Sequence, residues 1–172
     1  MARRAGFFGP RGAWLLGTVV GWVVLSGCSR GERQYVGTPW ETITIRFKDK
    51  SPPVELRVEV ACDDDSRQHG LKQRTKETLA DNQGMLFLFP ETRELSFWME
   101  DTPLPLSIAF LDDEGKIEQI EDMKPMDRNR TRSKKALRYA LEVNQGWFQR
   151  NGIAVGDSIA DFRSSIGRFL VR

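Results

Sequence analysis

Between Val54 and Val60 the chain alternates apolar and charged residues: Val54, Leu56, Val58 and Val60 point one way, and Glu55, Arg57 and Glu59 the other. A period of two suits an extended strand and no helix, so this segment predicts a strand with one face on a core and one in water. Ile43, Ile45 and Phe47 repeat the pattern against Thr42, Thr44 and Arg46. The intervening Lys-Asp-Lys-Ser-Pro-Pro is rich in turn formers, which predicts a hairpin. A fold built from this end must be a sheet.

The rest of the chain extends that sheet. Asp63, Asp64 and Asp65 offer caps and favourable charge for a helix from about Asp64 to Gln73, interrupted near Gly70. Three apolar runs, Gly84 to Pro90, Leu95 to Met99 and Leu104 to Leu111, read as buried strands. Asp112 to Gly115 is a hairpin turn into Lys116 to Met123, and Tyr139 to Val143 is a further strand. A short helix follows from Asn144 to about Arg150, ended by Asn151-Gly152, and Ile153 to Ile159 reads as a closing turn and strand. Seven or eight short strands with two short helices predict an α+β domain, mainly antiparallel, as a small barrel-like sheet. The domain is expected over residues 42–160, followed by an amphipathic tail at 161–172.

Residues 1–27 do not fit this pattern. Arg3, Arg4 and Arg11 precede the uncharged, mostly apolar run Ala13 to Leu25, and Leu25-Ser26-Gly27-Cys28 follows. The run is shorter than the roughly 20 residues needed to cross a bilayer. It reads as an export signal, and its last four residues resemble the lipobox of bacterial lipoproteins, in which the cysteine sulfur accepts diacylglycerol. Residues 28–41 then form the lipidated N-terminus and tether. Two or three acyl chains hold a membrane stably where one binds marginally. The expected location is the cell envelope, lipid-anchored through Cys28, with the domain outside the cytoplasm. Losing Arg3, Arg4 and Arg11 turns the formal net charge of +2 into −1, so a basic field aimed at nucleic acid is not expected.

The elements Gly70-Leu71 with Arg74, Gly84 to Phe89, Phe97 to Thr102, Pro105-Leu106 with Ile108 to Phe110, Gly115 to Ile117, Pro125, Tyr139 to Val143, Gly146 and Gly156-Asp157 together resemble domain-of-unknown-function family 192, over about Val54 to Ile159. The resemblance implies a small, mainly β, barrel-like domain, often exported, with no established activity. Two positions depart from the family's usual pattern: Lys72 stands where it has Met, and Ser107 where it has Asp.

Candidate sites follow from residue types. Arg74, Trp98, Asp101, Thr102 and Glu142 are candidates for a pocket, with Glu100, Asp101 and Thr102 lining its mouth and Trp98 as a stacking wall for a ring such as a sugar; the alternative is a hairpin corner in which Asp101 and Thr102 satisfy turn amides. Glu142 points away from Leu141 and Val143 and could meet Arg74 or Asp101. Facing carboxylates would suit hydrolysis of an envelope glycan, the enzymatic alternative to a binding or accessory module. A structural module that docks an envelope protein is the third reading. Cys62 and His69 are weighed as a nucleophilic pair against a buried cysteine. With Cys28 lipidated, Cys62 is expected to lack a disulfide partner in the chain. Met85, Met99, Met123 and Met126 read as core rather than as ligands for a soft metal. Arg128, Arg130, Arg132, Lys134, Lys135 and Arg138 form an acid-free basic stretch, a candidate strip for anionic headgroups or a solvated loop. No catalytic residue, metal or cofactor is expected. The partners expected are the membrane, a small molecule or glycan, or an envelope protein.

Overall fold

The computed structural model describes residues 41–170. Six strands form one sheet: β1 (Thr42–Arg46), β2 (Glu55–Ala61), β3 (Gln83–Phe97), β4 (Leu106–Leu111), β5 (Ile117–Met123) and β6 (Thr131–Asn144), in the order β1-β2-β3-β6-β4-β5. Three short helices, α1 (Asp64–His69), α2 (Trp147–Arg150) and α3 (Phe162–Leu170), complete it. All pairings are antiparallel except β2 with β3. Parallel neighbours need a crossover, and the segment carrying α1 supplies it.

The expected β1–β2 hairpin forms, in register from Thr42 opposite Glu59 to Arg46 opposite Glu55. The expected barrel does not. Edge strands β1 and β5 are not bonded to each other, so the sheet is open. The segment that reads as a closing strand instead straps the two edges with single bridges, Phe47 to Ile159 and Lys116 to Ser158. Its backbone bonds run to both sides, Ala160 N to Arg46 O at 2.7 Å and Ile117 N to Asp157 O at 2.8 Å. Pro90 does not end the apolar run before it. β3 continues through an irregularity between Leu88 and Arg93, where three extra residues bulge out of the β6 ladder. Of the basic stretch, read as a loop or strip, Arg132 to Arg138 lie in β6, and Arg128 and Arg130 in the segment before it.

Two apolar clusters lie against the sheet. One gathers Leu56, Val58, Leu86, Leu88, Leu141 and Val143 with the helical residues Trp147, Phe148, Phe162, Ile166 and Phe169. Of the expected tail, residues 162–170 form α3 and pack into the same core as the strands. The other gathers Met85, Phe87, Phe89, Leu95, Phe97, Ile108 and Phe110 with Leu71 and Met99. β3 serves both by alternation, even positions to the first and odd to the second. Both faces of the central strands are thus covered, so a polar residue at an alternate position is buried.

α1 starts in a capping box. The Asp63 carboxylate accepts from Ser66 N at 2.8 Å, and Ser66 Oγ accepts from Asp63 N at 3.1 Å. Gly70 at φ 55° ends the helix after His69, four residues short of the sequence-based expectation. Asp63→Ala is expected to cost about 1 kcal/mol in denaturant-monitored unfolding; an unchanged midpoint would show that the box adds nothing.

Candidate functional site

β6 places Glu142 between Met85 of β3 and Ile108 of β4, on the face of the second cluster. Leu141 and Val143 face the first cluster, so alternation puts Glu142 opposite them, as expected. There it meets the inner side of a covering layer rather than water, and only 4% of it is exposed. The layer consists of the C-terminal end of α1, the Gly70 to Lys72 turn and the segment Phe97 to Thr102. Between layer and sheet lies a cavity of about 30 Å³ with Glu142, Leu106 and Phe87 among its lining residues. That is room for about one water-sized group.

Six polar or charged side chains are buried among the described residues. Ser66, Thr102, Ser107, Gln119 and Ser133 all make hydrogen bonds: Ser133 Oγ accepts from Leu95 N at 2.8 Å, and Gln119 Oε1 accepts from Lys134 N at 2.8 Å. Glu142 is the exception, with no hydrogen bond or ion pair to any described residue. No side-chain polar atom sealed from solvent lacks a partner, so the Glu142 carboxyl opens onto the cavity. Burial alone pushes its pKa from 4.5 up to about 8, which leaves it protonated at neutral pH.

The rim is charged and internally paired. Lys72 Nζ lies 3.2 Å from Glu100 Oε2, and Arg128 Nε 3.6 Å from Glu100 Oε1. Arg67 donates to Leu88 O at 2.7 Å and to Asp64 Oδ1 at 2.6 Å. His69 is held below its ordinary pKa, first by burial and then by the charges of Arg74 and Lys72, so it is neutral at pH 7.

Of the candidate pocket residues, Trp98, Thr102 and Glu142 line this cavity, and Arg74 and Asp101 do not. Arg74 Nη2 pairs with Glu59 at 2.6 Å. Asp101 sits at φ 55° in an exposed turn, where its carbonyl accepts from Gln73 N at 2.7 Å. Thr102 serves the same corner, its Oγ1 donating to Glu100 O at 3.2 Å. Cations flank the Trp98 ring, Arg130 Cζ 4.0 Å and Lys72 Nζ 5.5 Å from its centroid. Ring stacking on Trp98 would have to displace Arg130.

The basic stretch does not stand alone. Arg132 pairs with Glu94 at 2.8 Å, Lys134 with Glu121 at 3.7 Å and Lys135 with Glu118. Arg138 donates to Phe89 O at 3.3 Å. Cys62 is disulfide-bonded rather than a free thiol, to a partner outside the described residues. This corrects the expectation that it lacks a disulfide partner and removes the thiolate–imidazole pair. Ser107, at one of the departures from the family pattern, donates to Asp122 at 2.6 Å and accepts from Gly146 N at 3.0 Å. Lys72, at the other, sits on the cavity rim. Among the described residues no three His, Cys, Asp or Glu side chains group to hold a metal.

Glu100, expected at the pocket mouth, does line the cavity, whereas sequence reasoning missed Lys72 and Phe87 as parts of the site. It also missed an open cleft of about 380 Å³ beside Leu79, Leu104 and Pro105, edged by Lys76 and the Arg150–Asp81 ion pair. Lys72 and Glu100 meet across 28 positions of sequence, and no local pattern marks the pair.

A family model for DUF192, described as Uncharacterized ACR, COG1430, matches residues 45–160. The chain belongs to the DUF192 family. A crystal structure described as a candidate transcription regulator from Sinorhizobium meliloti 1021 is similar, at 34% identity and a TM-score of 0.67, over 72% of this chain and 95% of that one. A protein of unknown function from Novosphingobium aromaticivorans DSM 12444 is similar at 27% identity and a TM-score of 0.66, over 73% and 89%. A comparison with curated proteins gives no match. The family's description names no activity, so the chemistry rests on the cavity.

Proposed function

We propose that this DUF192 protein is a lipid-anchored envelope module that binds a small ligand in the Glu142 cavity. The observation that carries the reading is the Glu142 carboxyl, buried, without a partner among the described residues and open to the cavity. Leaving a polar group in that state costs about 1–3 kcal/mol, a cost that a ligand contact repays. At about 30 Å³ the cavity suits the tip of a ligand rather than a sugar ring, so the glycan hydrolase gains no support. Nucleic acid is not part of the reading either, because Arg128, Arg132, Lys134 and Lys135 each meet an acid. The test is a thermal-shift screen of small molecules on wild type and on Glu142→Leu. Compounds that raise the wild-type Tm and leave the variant unmoved are expected, whereas hits shared by both would place binding elsewhere.

The anchor rests on Leu25-Ser26-Gly27-Cys28 after an apolar run. The chain has two cysteines, so a thioether to lipid at Cys28 excludes a disulfide between Cys28 and Cys62 of one chain, and the anchor requires the disulfide of Cys62 to join a second chain. Radioactive fatty acid is expected to label wild type and to miss Cys28→Ala. Equal labelling of both would refute the anchor, as would unlabelled protein that gains two thiols on reduction.

A further inference from the structure

Resting on that reading, and narrowing its ligand, we infer that the Glu142 cavity takes the unsubstituted ammonium group of a primary amine, which pairs with the Glu142 carboxylate.

The charges around the cavity favour a cation as the missing partner. On α1, Arg67 is engaged by Asp64 and Leu88 O, and His69 is neutral. In the next turn, Lys72 is held by Glu100. On the covering segment, Glu100 is shared by Lys72 and Arg128. The sheet presents Phe87, Phe97 and Leu106 beside Glu142, none of them charged. No cation is near enough to lower the pKa of Glu142, whose shift comes from burial alone. An incoming ammonium is therefore its first counter-ion, in a setting where the pair is little screened.

Size and walls narrow the class further. The narrow cavity favours a head group as small as –NH3⁺ over a bulkier quaternary trimethylammonium. Phe87 and Phe97, with ring centroids 5.0 Å apart and edge-to-face, line the cavity with Met99, and aromatic and thioether walls suit a cation better than an anion. A divalent metal would lack further ligands. An anionic ligand would face Glu142 with no free positive partner at the cavity floor.

The protons balance simply. The neutral carboxyl gives its proton to solvent as the ammonium enters, so each binding event below about pH 8 releases one proton. Affinity then rises about tenfold per pH unit toward pH 8 and levels above it.

The experiment is an amide-resolved NMR titration of the full chain with methylammonium chloride at pH 6, 7 and 8.5, at ionic strength matched with potassium chloride. Millimolar affinity is expected for so small a probe. Shifts should appear at Leu71, Met99 and Val143, with the tenfold-per-unit pH dependence below pH 8. Tetramethylammonium should not bind, and Glu142→Gln should abolish binding while keeping the wild-type fold. Binding that is independent of pH in wild type overturns the inference without recourse to any variant, as does no methylammonium binding at pH 8.5. Acetamide separates the two levels: if it binds through Glu142 and methylammonium does not, the cavity is a ligand site and the ammonium class is wrong. If neither binds, both readings fall.

Discussion

Glu142→Leu is expected to stabilise the ligand-free protein at pH 7 by several kcal/mol: about 1–3 for a buried polar group left without a partner, and roughly 3 more for the proton the folded state must hold at that pH. Most buried glutamates behave oppositely, because removing one strands its ion-pair partner. Here none exists to strand. The pH dependence is the sharper signature. The unfolded chain titrates this carboxyl near 4.5, and the folded chain near 8. Below 4.5 both states are protonated and the group adds no pH dependence. Between 4.5 and 8 the folded state holds a proton that the unfolded state has lost, so rising pH favours unfolding. Above 8 the penalty is complete, on the order of 4–5 kcal/mol. Other groups move the opposite way: Asp157 is held below its ordinary pKa by its hydrogen bond from Lys50, and Glu118 by its bond from Lys135. The quantity to measure is therefore the difference in unfolding free energy between wild type and Glu142→Leu from pH 5 to pH 9. It should widen steadily in favour of the variant up to about pH 8. A variant less stable than wild type, or a difference flat with pH, would mean that the carboxyl is solvated or paired.

Gly84→Ala is expected to cost about 3 kcal/mol or more. A methyl group at position 84 would lie 2.4 Å from the backbone oxygen of Glu142 and 3.0 Å from Val143 Cγ1. Overpacked cores lose about 1–3 kcal/mol when side chains can shift, but this obstacle is the β3–β6 ladder itself, where Gly84 is the register partner of Val143. Relief requires prising apart the two strands that carry the cavity floor. Gly167→Ala is the matched control. Position 167 lies in α3 with nothing within 4 Å of the added carbon, and alanine there should gain about 0.5–1 kcal/mol from helix propensity. Urea unfolding of the two variants should move in opposite directions; a Gly84→Ala protein as stable as wild type would show that the ladder yields easily.

The sheet was legible because period-two alternation survives wherever one face is buried. β1 and β2 follow it and are read from Ile45 and Leu56; β4 is read instead as a continuous apolar run, buried at every position, and β5 from the turn before it, although Ile117 and Ile120 break strict alternation. The limits of β3 and β6 were not legible. Pro90 and the basic run Arg128 to Arg138 both argue against strand when read locally, whereas pairing across the bulge carries β3 past Pro90. Acids on β3 and β5 neutralise the basic half of β6. Barrel closure was misjudged because the strap at 153–160 has strand-like residues but contacts each edge by one bridge only.

The site divides the same way. Glu142 was legible as the residue pointing away from Leu141 and Val143. Its burial was not, because alternation gives a direction and says nothing of what covers that side. The cover comes from Gly70, Lys72 and Phe97 to Glu100, brought over the sheet by the turn at Asp101 and the crossover through α1. Asp101 and Arg74 carry the right charges for a site but serve the turn and Glu59 of β2.

The most direct test is the titration of the Glu142 side-chain carboxyl, followed by its carbonyl carbon resonance in ligand-free protein labelled with ¹³C. A midpoint near 8 is expected, together with a downward shift when methylammonium is added. A midpoint between 4 and 5 would contradict a buried, partnerless carboxyl and with it the cavity as the binding site.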